Sequence, residues 1–120
     1  MRQLVVMLDD VERVESLTSL AARTSVAALL NRSRRTGLAY TVPEDVQQWL
    51  DSGAPVDAYL SCSTNHLNDL YERANAALLC PAAVRSDDGV IVAVGIGPFQ
   101  SGVLGYCFNS ETRNHFREAE

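Results

Sequence analysis

Three features of the 120-residue sequence predict a single α/β domain, with a four-stranded mixed sheet and helices on both faces. Two apolar runs, QLVVML at residues 3–8 and VIVAVGI at residues 90–96, have the length and polar flanks of buried strands. Between them lie segments whose apolar residues recur at helical spacing. The resulting order, β-α-α-β-α-β-β, contains no repeat, linker or low-complexity tract, as expected of one layered domain.

The first strand ends at Asp9-Asp10, and a helix is expected over residues 11–35. Val14, Leu17, Ala21, Thr24 and Ala28 recur at alternating spacings of three and four and define a packed face, which Leu20, Ala27 and Leu30 widen. Asp9 and Glu12 stand at capping-box spacing, and Glu15 adds negative charge near the positive end of the helix dipole. Arg32, Arg34 and Arg35 suit the opposite end, and Gly37 suits the stop. Thr41-Val42-Pro43-Glu44 opens a short helix around Trp49, with Pro43 at its first position, and Gly53-Ala54-Pro55 closes it. DAYLS, residues 57–61, reads as the second strand. Ser63 or Thr64 caps a third helix carrying Leu67, Leu70, Tyr71, Ala74 and Leu78 at helical spacing. Residues 81–84 form the third strand, and Asp88-Gly89 signals a hairpin. The run over residues 90–96 is the fourth strand, continuous enough to be central and buried on both faces. Regularity fades from Ser101, which divides the chain into a domain over residues 1–108 and a polar tail over 109–120.

Composition narrows the chemistry. All ten basic residues are arginine, and no lysine is present to serve as a base, a Schiff-base former or a phosphate-loop cation. Fifteen acidic residues give a formal charge of −5, which argues against broad nucleic-acid binding. No apolar stretch approaches the length of about 20 residues that spans a bilayer, and the first residues do not read as a signal peptide. Cys62, Cys80 and Cys107 form no CxxC pair, as expected of reduced thiols in a cytoplasmic protein. No cofactor and no metal are expected.

VAVGIGP, residues 92–98, closing a buried strand near the C-terminus, resembles the signature of the type II peptidyl-tRNA hydrolases. LVVMLDD resembles that family's first strand and the polar residues after it, and LAARTSVAAL its alanine-rich first helix. Gln48-Trp49 to Ser61 looks like its tryptophan helix and second strand, and LNDLYERANAALLCPAAVRSDDG like its third helix, third strand and hinge. The resemblance covers residues 3–106 and implies that family's fold and a homodimer. Its functional residues do not carry over. Where the family has a Lys and then a Gln on the first helix, this chain has Ser19 and Arg23. An Asp-Ala-Gly turn followed by Thr is replaced by Ser86-Asp87-Asp88-Gly89 running straight into Val90, and a Thr on the last strand by Val92. Only an acid at the turn survives, as Asp87 or Asp88.

These residues form the candidate site. Ser19 and Arg23 lie one helical turn apart and, by the resemblance, face the Asp87-Asp88 turn. In one reading Arg23 binds an anion or carbonyl while an Asp of that turn acts as base; in the other an Arg–Asp pair merely closes the helix onto the sheet. Asp9 and Asp10 follow the first strand at its carboxyl end, where α/β proteins bind ligands, but their spacing also fits a helix cap. The catalytic set is therefore Asp10, Ser19, Arg23 and Asp87, with Asp9, Asp88, Gly95 and Gly97 on the substrate side. GIGPFQSG is no dinucleotide fingerprint, since Gln100 stands at the third glycine position. Cys62 and His66 have the spacing of a thiolate–imidazole pair, against the plainer reading of a buried cysteine beside a surface histidine, with His115 and Cys107 remote in sequence. Arg32-Ser33-Arg34-Arg35 either grips phosphate or completes a helix end. Trp49, Tyr59 and Tyr71 suit core or pocket wall better than a base-stacking platform.

The expectation is a hydrolase-like fold whose polar pocket has been repurposed toward a small molecule, as an acid–base catalyst or as a binder. The alternatives are a non-catalytic dimeric binding module, marked by an exposed apolar patch and no enclosed cavity near Arg23, and peptidyl-tRNA hydrolysis through Asp87 or Asp88. A small-molecule ligand is the expected partner, tRNA is disfavoured, and no membrane association is expected.

Overall fold

Alternation along the first strand sets the layering. In a computed structural model describing residues 1–9, 17–36 and 39–118, β1 (Arg2–Leu8) directs Leu4 and Val6 to one face of a sheet and Val5 and Met7 to the other. Helix α1 (Leu17–Arg32) covers the Val5 and Met7 face with Leu20, Thr24 and Ala28 buried. A short ribbon follows, β2 (Arg34–Thr36) against β3 (Ala39–Thr41), then α2 (Glu44–Asp51) and β4 (Val56–Ser61). Helix α3 (Thr64–Ala76) covers the Leu4 and Val6 face with Leu67, Leu70 and Ala74. The chain then forms a hairpin of β5 (Ala82–Arg85) and β6 (Ile91–Phe99) and ends in α4 (Ser101–Leu104), α5 (Ser110–Arg113) and β7 (Arg117–Glu118).

The main sheet is mixed, in the order β5-β6-β1-β4-β7, with β1 parallel to β4 and every other pairing antiparallel. It has five strands where the sequence predicts four. The added strand is β7, whose two residues pair with Tyr59 and Leu60 of β4. Strand β6 sits between β5 and β1 and is buried from Ile91 to Pro98, as its continuous apolar run predicts.

Local chemistry accounts for the boundaries. The expected start of the first helix, including Asp10, Glu12, Val14 and Glu15, lies outside the described residues, as does Gly37. The helix ends at Arg32 rather than Arg35, because the backbone extends into the β2–β3 ribbon. Ser33 Oγ donates to the Leu29 carbonyl at 2.9 Å across the exit. Thr24 is tolerated inside the core because its hydroxyl donates to the Leu20 carbonyl at 2.7 Å. Pro43 is the N-cap of α2 rather than its first residue. Ser63 caps α3, accepting from the Asn65 amide, while the buried Ser61 donates its hydroxyl to the Ser63 carbonyl and braces the same turn. Leu78, expected on the buried face of that helix, is 85% exposed. Its φ of +61° reverses the chain just beyond α3, and this places Leu79 in the core instead.

Candidate functional site

The flank of α1 and the edge strand β5 together form an open groove. Ala22, Arg23, Val26, Ala27 and Leu30 line it from the helix, and Ala83, Val84 and Arg85 from the strand, around a volume of about 620 Å³. Leu30 was expected to widen the buried stripe, yet it is 39% exposed and Val26 is 55% exposed. Helix α1 meets the sheet along a narrower line, through Leu20, Thr24 and Ala28, and leaves this flank uncovered. Arg85 donates to the Gly89 carbonyl at 3.0 Å across the hairpin end and has no ion pair among the described residues.

Those of the expected site residues that are described do not gather in one pocket. Arg23 lines it, whereas Ser19, one turn earlier, is exposed and does not. Asp87 and Asp88 occupy the exposed tip of the β5–β6 hairpin and line no part of it. Asp9 follows β1, and its carboxylate lies 3.5 Å from Arg117 of β7. Asp10 lies outside the described residues.

The two glycines serve packing. A Cβ on Gly95 would lie 2.8 Å from the Thr24 carbonyl oxygen and 3.0 Å from Ala28 Cβ, so this glycine lets α1 press against β6. Gly97 has φ +97°, and a Cβ there would lie 2.9 Å from the Phe99 amide nitrogen. Neither is open to a substrate from that side. Arg32 is likewise structural. It donates to the Pro98 carbonyl at 3.0 Å, pairs with Asp45 at 2.5 Å and lies over the Phe99 ring at 4.5 Å. The side chains of Arg34 and Arg35 lie outside the described atoms. Trp49 is buried and donates to the Pro55 carbonyl at 3.0 Å. Tyr59 and Tyr71 pack into the core on the α3 side.

One pairing was not legible in the sequence. His66 and His115, distant along the chain, are brought face to face by α3 and the segment after α5, with ring centroids 4.5 Å apart and planes 36° from parallel. His66 Nδ1 is buried without a hydrogen-bond partner among the described residues. Only the packing of residues 109–118 back onto α3 reveals this, and no local periodicity announces it. No set of three or more His, Cys, Asp or Glu among the described residues is arranged to hold a metal.

The thiols divide by burial. Cys62, expected buried, is exposed at the end of β4, as is Cys80 before β5, while Cys107 is buried. Burial pushes the Cys107 thiol up to about 11, offset in part by backbone hydrogen bonding and by the charge of Arg73. Native protein at pH 8 is therefore expected to titrate two thiols rapidly with dithiobis(nitrobenzoate) and the third only after denaturation. Three equal rapid reactions would show that Cys107 is accessible.

No protein-family model matches the chain, and no curated protein is significantly similar to it. The fold and the groove define an α/β domain with an open, arginine-rimmed apolar surface at one sheet edge. No helix among the described residues is long and apolar enough to cross a membrane.

Proposed function

We propose that the chain is a non-catalytic binding module on a type II peptidyl-tRNA hydrolase-like scaffold, whose α1–β5 groove takes an extended, acidic segment of a partner protein. The reading rests on one observation: the surface at Arg23 is an open groove floored by Val26, Ala27, Leu30 and Ala83. Catalysis by a carboxylate needs a site that excludes water and aims polar groups at one point. The acids nearest in sequence, Asp87 and Asp88, stand instead on an exposed turn.

Two further features select the occupant. Strand β5 is an edge of the sheet, so an extended segment can pair with its outer side while alternate side chains enter the apolar groove. Arg85 brings positive charge to the rim of a chain whose net charge is −5. That complements an acidic segment and disfavours a second copy placed arginine against arginine.

The test is fluorescence anisotropy with a labelled octapeptide alternating Glu and Val, and a Lys/Val peptide as the charge control. Saturable binding of the acidic peptide is expected, weakened about tenfold (~1.4 kcal/mol) by Arg85→Glu or by Val26→Asp. No saturable binding, or equal binding of the Lys/Val peptide, would overturn the reading. So would a concentration-dependent dimer that Val26→Asp dissolves, or turnover of a peptidyl-tRNA analogue that Asp87→Asn abolishes.

A further inference from the structure

On the opposite face of the sheet, β1 and β4 run parallel with Leu4 beside Asp57 and Val6 beside Tyr59. The period of two therefore turns Arg2, Leu4, Asp57 and Tyr59 to one side. Leu104, Gly105, Phe108 and Arg113, from α4 through α5, close over them to leave a cleft of about 190 Å³. This cleft is distinct from the α1–β5 groove and shares no residue with it.

Its polar groups are unequally committed. Arg2 Nε and Nη2 donate to Asp57 Oδ2 and Oδ1 at 2.7 and 2.8 Å, a forked pair that neutralises both and holds the Arg2 guanidinium above its ordinary pKa. Arg113 lies 5.6 Å over the Phe108 ring and has no acidic partner among the described residues. Tyr59 is 8% exposed, its ring rests on Phe108 at 4.9 Å, and its hydroxyl makes no hydrogen bond among the described residues. The lining thus carries one surplus positive charge and one uncommitted phenol above an apolar floor of Leu4, Leu104 and Phe108.

We propose that this cleft binds a small organic monocarboxylate with a short apolar or aromatic body. The carboxylate pairs with the Arg113 guanidinium and accepts from the Tyr59 hydroxyl, while the body lies against Leu4, Leu104 and Phe108. A single surplus charge matches a monoanion better than a phosphate ester, which carries nearly two charges near neutral pH. The volume lies below the range of about 300–1,000 Å³ typical of drug-sized ligands, which sets the ligand's scale.

The test is a titration of ¹⁵N-labelled protein with benzoate, followed at the Gly105 amide and the Arg113 Nε–H. Phenyl phosphate and benzyl alcohol serve as parallel arms. Benzoate is expected to give saturable shifts with a Kd in about the millimolar range. Arg113→Gln, at an exposed position, and Tyr59→Phe, which keeps the ring, should each weaken binding about tenfold while leaving the folded spectrum intact. Absence of saturation, or benzoate binding unchanged by Arg113→Gln, would overturn the site. Benzyl alcohol binding as tightly would overturn the role of charge, and phenyl phosphate binding more tightly would overturn the carboxylate assignment.

Discussion

Gly95→Val is expected to cost about 3 kcal/mol or more in urea unfolding, a large part of the ~5–15 kcal/mol that holds a domain of this size together. Even the first added carbon meets the Thr24 carbonyl oxygen at 2.8 Å, Thr24 Cγ2 at 2.9 Å and Ala28 Cβ at 3.0 Å. The first of these is backbone in the middle of α1, so no rotamer change relieves it. The helix must lift from β6, which opens the seam formed by Leu20, Thr24 and Ala28. Gly95→Ala should lose about 1–3 kcal/mol, and adding Ala28→Gly should restore only part, because the Thr24 carbonyl stays in place. A midpoint for Gly95→Val within ~0.5 kcal/mol of the parent would sink this account of how α1 is seated.

Gln3→Glu is the second large effect, and its size depends on pH. Gln3 is fully buried at the start of β1. Its Nε2 donates to the Ser25 carbonyl at 3.0 Å and the Gly97 carbonyl at 3.4 Å, and its Oε1 accepts from Ser25 Oγ at 2.5 Å. A carboxylate there turns negative oxygen toward two carbonyls in a fully buried site. Burial of this kind raises a carboxyl pKa by up to about 3–5 units, each worth about 1.4 kcal/mol. The folded-state pKa is raised, so the deficit relative to the parent should be small below the unfolded value of about 4.3. It should grow as pH rises above that value and level off above the folded-state pKa, at about 4 kcal/mol or more. Urea midpoints of both proteins across this range provide the check, and a deficit independent of pH would mean that lost packing, not charge, is responsible.

The strands and the three long helices were readable because their signals are local. Runs such as QLVVML, and the Ser63 cap before Leu67, Leu70 and Ala74, express the period and the termini of each element within a few residues. The misplaced details were those decided by contact. Leu30 follows the same spacing as its buried neighbours, yet the sheet ends beneath it, so it faces the groove. Leu78 continues the helical period past the point where the backbone has already turned. Strand β7 is two residues long and has no period to detect; its pairing with β4 makes it a strand. The candidate site was legible only in part. Arg23 does line a concavity, but the acids expected to complete it stand on a solvated turn.

The absence of lysine and the apolar patterning of β1, β6 and α3 are fixed by the sequence alone. Together they exclude lysine chemistry and determine a layered α/β domain, because composition and period survive any arrangement of the chain. Tertiary structure alone decided which side chains share a space: Arg2, Asp57 and Tyr59 with Arg113, His66 with His115, and Arg23 with Arg85. Such meetings depend on strand register and on how the C-terminal segment folds back. Both are settled by long-range pairing and close packing rather than by anything in the residues' own neighbourhoods.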